Sequence, residues 1–293
     1  MGRRILLFTL VAVGLAKPQA ASEAEAAGGF EATYGETYVA RDSGPLKADI
    51  YLPEGEGPFP GVLVVHGGAW RMGTRGQLSG VAQILAKNGF AAVAISYRLA
   101  PEYKFPAQIE DCKAAVRWMR SNAARLKVDP ERIGGFGYSA GAHLVSLLGT
   151  TDRNDGLEGP AGLYATTPPS TRLQAVVAGG APCDLRPIPD DEDGLSFFLG
   201  GSPAICRDQY RLASPAAFIT PDDPPMFFFH GETDQLVPLD SPEHMRAGLE
   251  RVGVEAHLYV VPKLGHTAAA MDRGAIERAI VFLSDHLKPQ ELR

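Results

Sequence analysis

The stretch Ile133–Gly149, IGGFGYSAGAHLVSLLG, decides the fold that this sequence predicts. Its first residues are small or apolar and suit a buried strand, and the mostly apolar residues after Ser139 favour a helix. The strand therefore turns directly into the helix at Gly137-Tyr138-Ser139-Ala140-Gly141, a G-x-S-x-G match. Glycine on both sides of Ser139 suits a sharp turn at which the neighbouring backbone leaves no room for a Cβ atom. Such a turn would expose the Ser139 hydroxyl, although the pentapeptide alone is equally compatible with an ordinary turn.

Buried strands and helices alternate on both sides of this stretch. Continuous apolar runs and helical spacing predict the strands 61–65, 90–96, 173–179, 224–230 and 256–261 and the helices 78–88, 107–126, 242–252 and 273–287. This alternation is typical of right-handed βαβ units, so we expect an α/β fold with a mostly parallel central sheet flanked by helices. An antiparallel N-terminal hairpin is predicted from strands at 33–40 and 46–52, joined by a turn-forming Asp-Ser-Gly-Pro cluster.

Length and composition favour a single globular domain. The chain has 293 residues, of which 45% are hydrophobic and 21% charged, and this length can bury a large core. Residues 181–221 are rich in Pro, Gly and Asp and predict an insertion over the carboxyl edge of the sheet, within a domain that spans residues 27–293. The formal net charge is −6 and the basic residues are scattered, which argues against nucleic-acid binding through a basic face.

Residues 1–26 differ in composition from the rest of the chain. Arg3 and Arg4 precede an apolar run from Ile5 to Leu15, a pattern typical of a secretory signal peptide, here followed by a polar linker. The run is too short for a membrane span, which needs about 20 apolar residues. We therefore expect a secreted or periplasmic protein without a stable membrane anchor; an uncleaved anchor is the alternative.

The three cysteines, Cys112, Cys183 and Cys206, do not have the spacing of metal ligands, so no metal site is predicted. An oxidising compartment would permit a disulfide between Cys183 and Cys206. It would close a loop of about 24 residues and contribute about 3 kcal/mol in the chain-entropy model.

A serine nucleophile needs a histidine base and a carboxylate that fixes the tautomer of the histidine. In an open parallel sheet, both should follow the carboxyl ends of strands. Asp234 follows the strand 224–230 by four residues, with Glu232 and Asp240 as rivals. His266 follows the last strand in a loop, whereas four other histidines fall inside predicted helices or strands: His143, His244, His257 and His286. The resulting order of Ser139, Asp234 and His266 is that of nucleophile-elbow enzymes.

Attack by Ser139 on a carbonyl group would create an oxyanion, which needs preset hydrogen-bond donors. The backbone N–H groups of Gly68 and Ala69, after the strand 61–65, and of Ala140, at the start of the helix, are the predicted donors. The aromatic residues Trp70 and Tyr138 adjoin these positions. Either they border the substrate or they pack against the loop, and both roles remain open at this point.

Several motifs together resemble those of a known family. They are His66-Gly67-Gly68-Ala69-Trp70, Ser96–Glu102 (SYRLAPE) with Phe105-Pro106 and Asp111, the G-x-S-x-G turn, and His230-Gly231-Glu232-Thr233-Asp234. Over roughly residues 33–287 the chain resembles the α/β-hydrolase fold serine esterases near the hormone-sensitive-lipase group, and more narrowly the bifunctional feruloyl and acetyl-xylan esterase-like branch. It departs from the hormone-sensitive-lipase relatives proper at Tyr138, where they usually carry an aspartate.

The resemblance implies a serine carboxylic-ester hydrolase that forms an acyl-enzyme and acts on short-chain or carbohydrate-linked (acetyl or feruloyl) esters. Such a mechanism requires no metal or organic cofactor. Two alternatives remain open at this point. One is an amidase, formamidase or peptidase on the same fold, and the other is a non-catalytic binding module that keeps the hydrolase fold.

Overall fold

The computed structural model describes residues 29–159 and 168–289, and the predicted signal peptide and linker at residues 1–26 lie outside them. The strands of the described residues are β1 (Phe30–Arg41), β2 (Gly44–Pro53), β3 (Phe59–Val65), β4 (Ala91–Ile95), β5 (Val128–Tyr138), β6 (Val176–Gly179), β7 (Met226–Gly231) and β8 (Ala256–Val261). They form one sheet in the order β1-β2-β4-β3-β5-β6-β7-β8.

The helices of the same residues are α1 (Ser79–Lys87), α2 (Ala107–Ser121), α3 (Ala140–Thr150), α4 (Ser196–Leu199), α5 (Pro203–Leu212), α6 (Asp240–Arg251), α7 (His266–Ala269) and α8 (Arg273–Leu287). Short 3₁₀ turns cover Arg75–Leu78 and Pro215–Ala217. Within the two described ranges, no helix has the length and apolar character needed to cross a bilayer.

Strand directions follow the prediction. β1 pairs antiparallel with β2, and β2 pairs antiparallel with β4. The pairs from β4–β3 through β7–β8 are all parallel. The mostly parallel sheet and the antiparallel N-terminal hairpin predicted from the sequence are therefore confirmed.

Helices cover both faces of the sheet. Alternate residues of a strand face opposite sides, so in β3 Leu63 and Val65 belong to one hydrophobic cluster while Val62 and Val64 belong to the other. Buried residues of α2, α3 and α6 complete the first cluster, and those of α1 and α8 complete the second. Because both faces of β3 and β4 are buried, these strands are continuous apolar runs rather than alternating ones.

Helix α2 is shorter than predicted, since it ends at Ser121 rather than at residue 126. The Asn122 side chain donates to the carbonyl of Trp118 over 2.9 Å. A side chain thus bonds one of the last carbonyl groups of the helix. Lys127 then adopts a φ of +50°, which turns the chain into β5. Strand β6 is also shorter than predicted and covers only the last four residues of 173–179.

The predicted insertion at residues 181–221 lies between β6 and β7 and contains α4 and α5. It packs against the loops that leave the carboxyl ends of β3 and β4. The amide of Phe105 donates to the carbonyl of Phe198 over 2.9 Å, and the ring of Phe198 stacks on Trp70 with centroids 4.3 Å apart. The insertion therefore supports the sheet edge at which the predicted site residues lie.

The predicted disulfide between Cys183 and Cys206 is absent, because both residues are free thiols. The Cys183 sulfur is buried 3.5 Å from the carbonyl oxygen of Ala181. The Cys206 sulfur lies 3.1 Å from the carbonyl oxygen of Gly201. The two thiols thus point into different surroundings, which their spacing in the sequence cannot reveal. Cys112 is also a buried free thiol.

The chain changes direction across the sheet at β3, because β4 lies on one side of β3 and β5 lies on the other. In open parallel sheets such a switch point leaves a crevice outside the carboxyl ends of the strands. Val65 at the end of β3 pairs with Gly137 near the end of β5. The segments that follow these two strands, His66–Trp70 and Ser139, therefore meet at one crevice.

Candidate active site

Ser139 occupies the turn between β5 and α3 in a strained backbone conformation, with φ 54° and ψ −119°. Non-glycine residues seldom adopt such a positive φ. The turn requires glycine on both sides of Ser139, because a side chain at either position would clash with neighbouring backbone. A Cβ on Gly137 would lie 2.3 Å from the carbonyl oxygen of Gly141, and a Cβ on Gly141 would lie 2.0 Å from that of Val65. The elbow therefore forms only because both positions lack a side chain.

The structure brings together the three residues that the sequence predicts as a triad. The Ser139 hydroxyl oxygen lies 2.8 Å from Nε2 of His266, and Nδ1 of His266 lies 2.6 Å from Oδ2 of Asp234. An ionised carboxylate can only accept, so Nδ1 carries the hydrogen and Nε2 is left free to accept from the Ser139 hydroxyl. His266 is the first residue of the short helix α7 rather than part of the predicted loop.

The Asp234 carboxylate has no exposed side-chain surface and is held by several donors. Its Oδ1 accepts from the amides of Leu236 and Val237 over 2.9 and 3.0 Å. Burial acts to raise the pKa of Asp234, but hydrogen bonds from Val237, His266 and Leu236 outweigh it and hold the pKa below its usual value. Asp234 therefore remains a carboxylate at neutral pH.

A second imidazole, for which the sequence predicts no role in the site, contacts the same carboxylate. Nε2 of His230 lies 3.2 Å from Oδ2 of Asp234 and 2.9 Å from the carbonyl oxygen of Val237. Both neighbours are acceptors, so Nε2 carries the hydrogen. Burial lowers the pKa of His230, and the neutral ring helps to fix the loop that bears Asp234. Its position at the end of a buried strand, four residues before Asp234, is a signal that could have identified it.

The predicted oxyanion loop follows β3 and has an unusual backbone. Gly68, Ala69 and Trp70 have φ values of 108°, 50° and 58°. In the described part of the chain, the amides of Gly68 and Ala69 donate to no other group. A Cβ on Gly67 would lie 3.3 Å from the Ser139 Cβ, so the loop passes directly beside the elbow. Ala140, the first residue of α3, adds an amide that has no partner within the helix.

His66 fixes the backbone of this loop, although the sequence predicts no role for it. Its Nδ1 lies 2.7 Å from the carbonyl oxygen of Gly67, and its ring stacks on Tyr97 with centroids 4.3 Å apart. Because a carbonyl only accepts, Nδ1 donates, and this bond turns the Gly67 carbonyl toward His66 and the Gly68 amide of the same peptide away from it. Burial lowers the pKa of His66 to about 4, so the ring is neutral.

Of the two roles left open for Trp70 and Tyr138, the structure shows the packing one, because these residues are only 5% and 6% exposed. The Trp70 indole packs between His143 and Phe198. The Tyr138 hydroxyl donates to the backbone carbonyl of His266, and burial raises its pKa well above the usual range. Both aromatic side chains therefore pack inside the protein against the site. Residue spacing alone does not predict which way a side chain points.

A mostly parallel sheet with a serine on a strand-to-helix turn, hydrogen-bonded through a histidine to an aspartate, defines an α/β hydrolase. More narrowly, the chain belongs to the BD-FAE family, which matches residues 48–249.

Relatives of known sequence and structure agree with this assignment. The chain is 31% identical to esterase LipC of Mycobacterium tuberculosis over 232 residues, which cover 73% of this chain and 54% of LipC. The chain spans about half the length of the curated relatives it matches.

Two solved structures are similar over most of the chain. A carbohydrate esterase from gut microbiota, solved in a truncated form, has a TM-score of 0.78 and 27% identity, covering 91% of this chain and 99% of that one. The esterase Est2 of the planctomycete Thermogutta terrifontis has a TM-score of 0.75 and 25% identity, covering 88% of this chain and 94% of Est2. These similarities confirm the α/β-hydrolase fold.

Proposed function

We propose that this protein is a serine carboxylic-ester hydrolase. The observation that carries the proposal is the continuous hydrogen-bonded chain from Ser139 through His266 to Asp234, with distances of 2.8 and 2.6 Å. A hydroxyl, a base and a buried carboxylate in this order are the parts that acyl transfer through a serine requires.

The proposed reaction has two stages. His266 Nε2 takes the proton of Ser139 while the hydroxyl oxygen attacks the ester carbonyl, and the amides of Gly68, Ala69 and Ala140 stabilise the resulting oxyanion. His266 then gives its proton to the leaving alcohol, which leaves an acyl-serine. In the second stage His266 takes a proton from water, the hydroxide attacks the acyl group, and His266 returns the proton to Ser139. Asp234 stabilises the imidazolium that forms in each stage.

The test is a Ser139→Ala variant assayed on p-nitrophenyl acetate. We expect the rate to fall by at least about 10³-fold, because the nucleophile is removed. Ser146→Ala is a matched control. Ser146 lies on the same helix, and its buried hydroxyl has no hydrogen-bond partner among the described residues, so the control should keep its activity. A Ser139→Ala protein that hydrolyses the ester at the wild-type rate would refute the proposal.

Covalent labelling separates an active hydrolase from a non-catalytic binding module. The related Est2 is phosphorylated by paraoxon. For this protein we expect paraoxon to label one serine per chain, at Ser139, and the Ser139→Ala variant to remain unlabelled. A folded wild-type protein that takes up no label would favour the binding-module alternative.

For the substrate, we propose short-chain or carbohydrate-linked esters. Support comes from the BD-FAE family, from the likeness to a carbohydrate esterase, and from Est2, which has been solved with butyrate and with propionate bound. Met72 and Leu236, on the loops after β3 and β7, expose 55% and 74% of their surface and offer apolar contacts beside the site. A profile over p-nitrophenyl esters of increasing chain length, acetylated xylan and methyl ferulate, with a matched amide, tests acyl preference and the amidase alternative together.

We further propose that the protein is exported to the periplasm or the medium, as Arg3, Arg4 and the following apolar run indicate. N-terminal sequencing of the protein from an exported fraction should show cleavage between residues 17 and 28. An intact N-terminus would contradict this proposal.

A further inference from the structure

A buried hydrogen bond joins the oxyanion loop to the elbow helix. Nε1 of Trp70 lies 3.1 Å from Nδ1 of His143, and the two residues are 5% and 0% exposed. On the other side of the ring, Nε2 of His143 lies 2.6 Å from the carbonyl oxygen of Ala213. That carbonyl can only accept, so Nε2 carries the hydrogen and Nδ1 accepts from the indole.

Each partner of this bond lies near an amide that we propose as an oxyanion donor: Trp70 near Ala69, and His143 near Ala140. Trp70 directly follows Ala69. His143 lies in the first turn of α3, three residues after Ala140, and its amide donates to the carbonyl of Ser139 over 3.0 Å. The bond therefore connects the two separate elements that must act on one oxygen atom.

The loop needs such a restraint because its backbone is strained. Trp70 has a φ of 58°, and a bulky residue keeps a positive φ only where its surroundings enforce it. Three contacts enforce it here. The indole bonds to His143, its ring lies parallel to Phe198 with an interplanar angle of 5°, and its carbonyl accepts from the amide of Ala100 over 2.9 Å.

We propose that Trp70 and His143 are positioning residues of the oxyanion site, which their hydrogen bond holds in the geometry required by the tetrahedral intermediate. This inference rests on the proposed function. The oxyanion exists only after attack, so a misplaced donor weakens binding of the transition state and leaves binding of the ester unchanged. Burial lowers the pKa of His143 to about 4, so the ring stays neutral and keeps its acceptor over the range in which the enzyme is assayed.

The test removes each partner of the bond in turn. Trp70→Phe keeps an aromatic ring against Phe198 but lacks the N–H donor, and His143→Leu removes the acceptor. His143→Asn places an amide oxygen near the position of Nδ1 and should restore most of the activity. The protein has two tryptophans, so Trp118→Phe on α2 is a matched control.

With p-nitrophenyl butyrate, we expect kcat to fall about tenfold or more in Trp70→Phe and His143→Leu, with KM changed by less than about threefold. The inhibition constant of a trifluoromethyl ketone, which forms a tetrahedral adduct with a serine, should rise by the same factor as kcat falls. The double variant Trp70→Phe/His143→Leu should be no slower than the slower single variant, because both single substitutions remove the same hydrogen bond.

Three results would overturn the inference: a kcat within about twofold of wild type in the folded Trp70→Phe protein, a loss confined to KM, or fully additive effects in the double variant. Thermal unfolding of each variant verifies that it is folded, and Trp70→Phe decides the matter alone if His143→Leu does not fold. A wild-type protein without esterase activity would instead refute the proposed function.

Discussion

The buried carboxylate of Asp234 gives the sharpest prediction at the scale of single residues. An Asp234→Asn side chain would donate from its amide nitrogen or accept at its amide oxygen, and the two backbone amides at Oδ1 favour keeping the oxygen there. The NH₂ group would then face Nδ1 of His266. That contact favours the tautomer with hydrogen on Nε2, which can no longer accept from Ser139.

We therefore expect kcat of Asp234→Asn to fall about 10³- to 10⁴-fold with the fold intact. Steady-state kinetics together with circular dichroism measure both parts of this expectation. Asp240→Asn is the control, since Asp240 begins helix α6 and was a rival candidate for the acid in the sequence. Equal losses in the two variants would show that Asp234 has no special role.

Residue positions along the chain were enough to predict the triad, but side-chain directions were not available from them. Ser139, Asp234 and His266 each follow a buried strand, and parallel strands place such residues at one edge. Trp70 and Tyr138 are adjacent to that edge in the sequence, yet both point inward. Whether a side chain beside a turn faces solvent or core depends on the local φ, which for Trp70 is a value that few residues adopt.

At the scale of secondary-structure elements, the closeness of β3 and α3 makes the elbow intolerant of side chains. A Cβ on Gly141 would lie 2.0 Å from the carbonyl oxygen of Val65 and 2.6 Å from that of His66. Backbone atoms cannot rotate away as a flexible side chain can, so Gly141→Ala must separate the helix from the strand. We expect a loss of about 3 kcal/mol in the free energy of unfolding, accompanied by loss of activity.

A second glycine in a helix provides the control for this prediction. Gly80 lies in α1, and a Cβ there would meet nothing within 4 Å. Gly80→Ala should therefore stabilise the protein by up to about 1 kcal/mol through helix propensity. Chemical denaturation of both variants measures the difference. A Gly141→Ala protein as stable as Gly80→Ala would show that α3 can move away from β3 at no cost.

The boundaries of elements were harder to predict than their existence. Continuous apolar runs located β3, β4 and β7, because strands buried on both faces of a sheet are apolar throughout. The end of α2 depends instead on a side-chain hydrogen bond from Asn122 and a positive φ at Lys127. The insertion between β6 and β7 has little periodicity, so neither the course of its chain nor the separation of Cys183 from Cys206 could be predicted from the sequence.

At the scale of the whole molecule, two of the buried neutral histidines, His66 and His143, connect the oxyanion loop to the stability of the fold. Burial lowers the pKa values of His66 and His143 to about 4 in each case, whereas an unfolded histidine has a pKa of about 6.5. Between these values the unfolded chain binds more protons than the folded one, so the free energy of unfolding rises with pH. Their stabilising contribution is complete above about pH 6.5 and is lost as the pH falls toward about 4, by about 3 kcal/mol for each ring.

This loss can be measured as the shift of the urea midpoint between pH 7 and pH 4.5. We expect the midpoint to fall steadily as the pH is lowered, and His143→Asn to reduce the slope because one buried neutral ring is then absent. His244→Asn, on the exposed side of α6, is the control and should leave the slope unchanged. A wild-type midpoint that does not vary over this range would mean that the folded protein accepts protons on both rings, and the hydrogen bonds that His66 and His143 make behind the oxyanion loop would then not require neutral histidines.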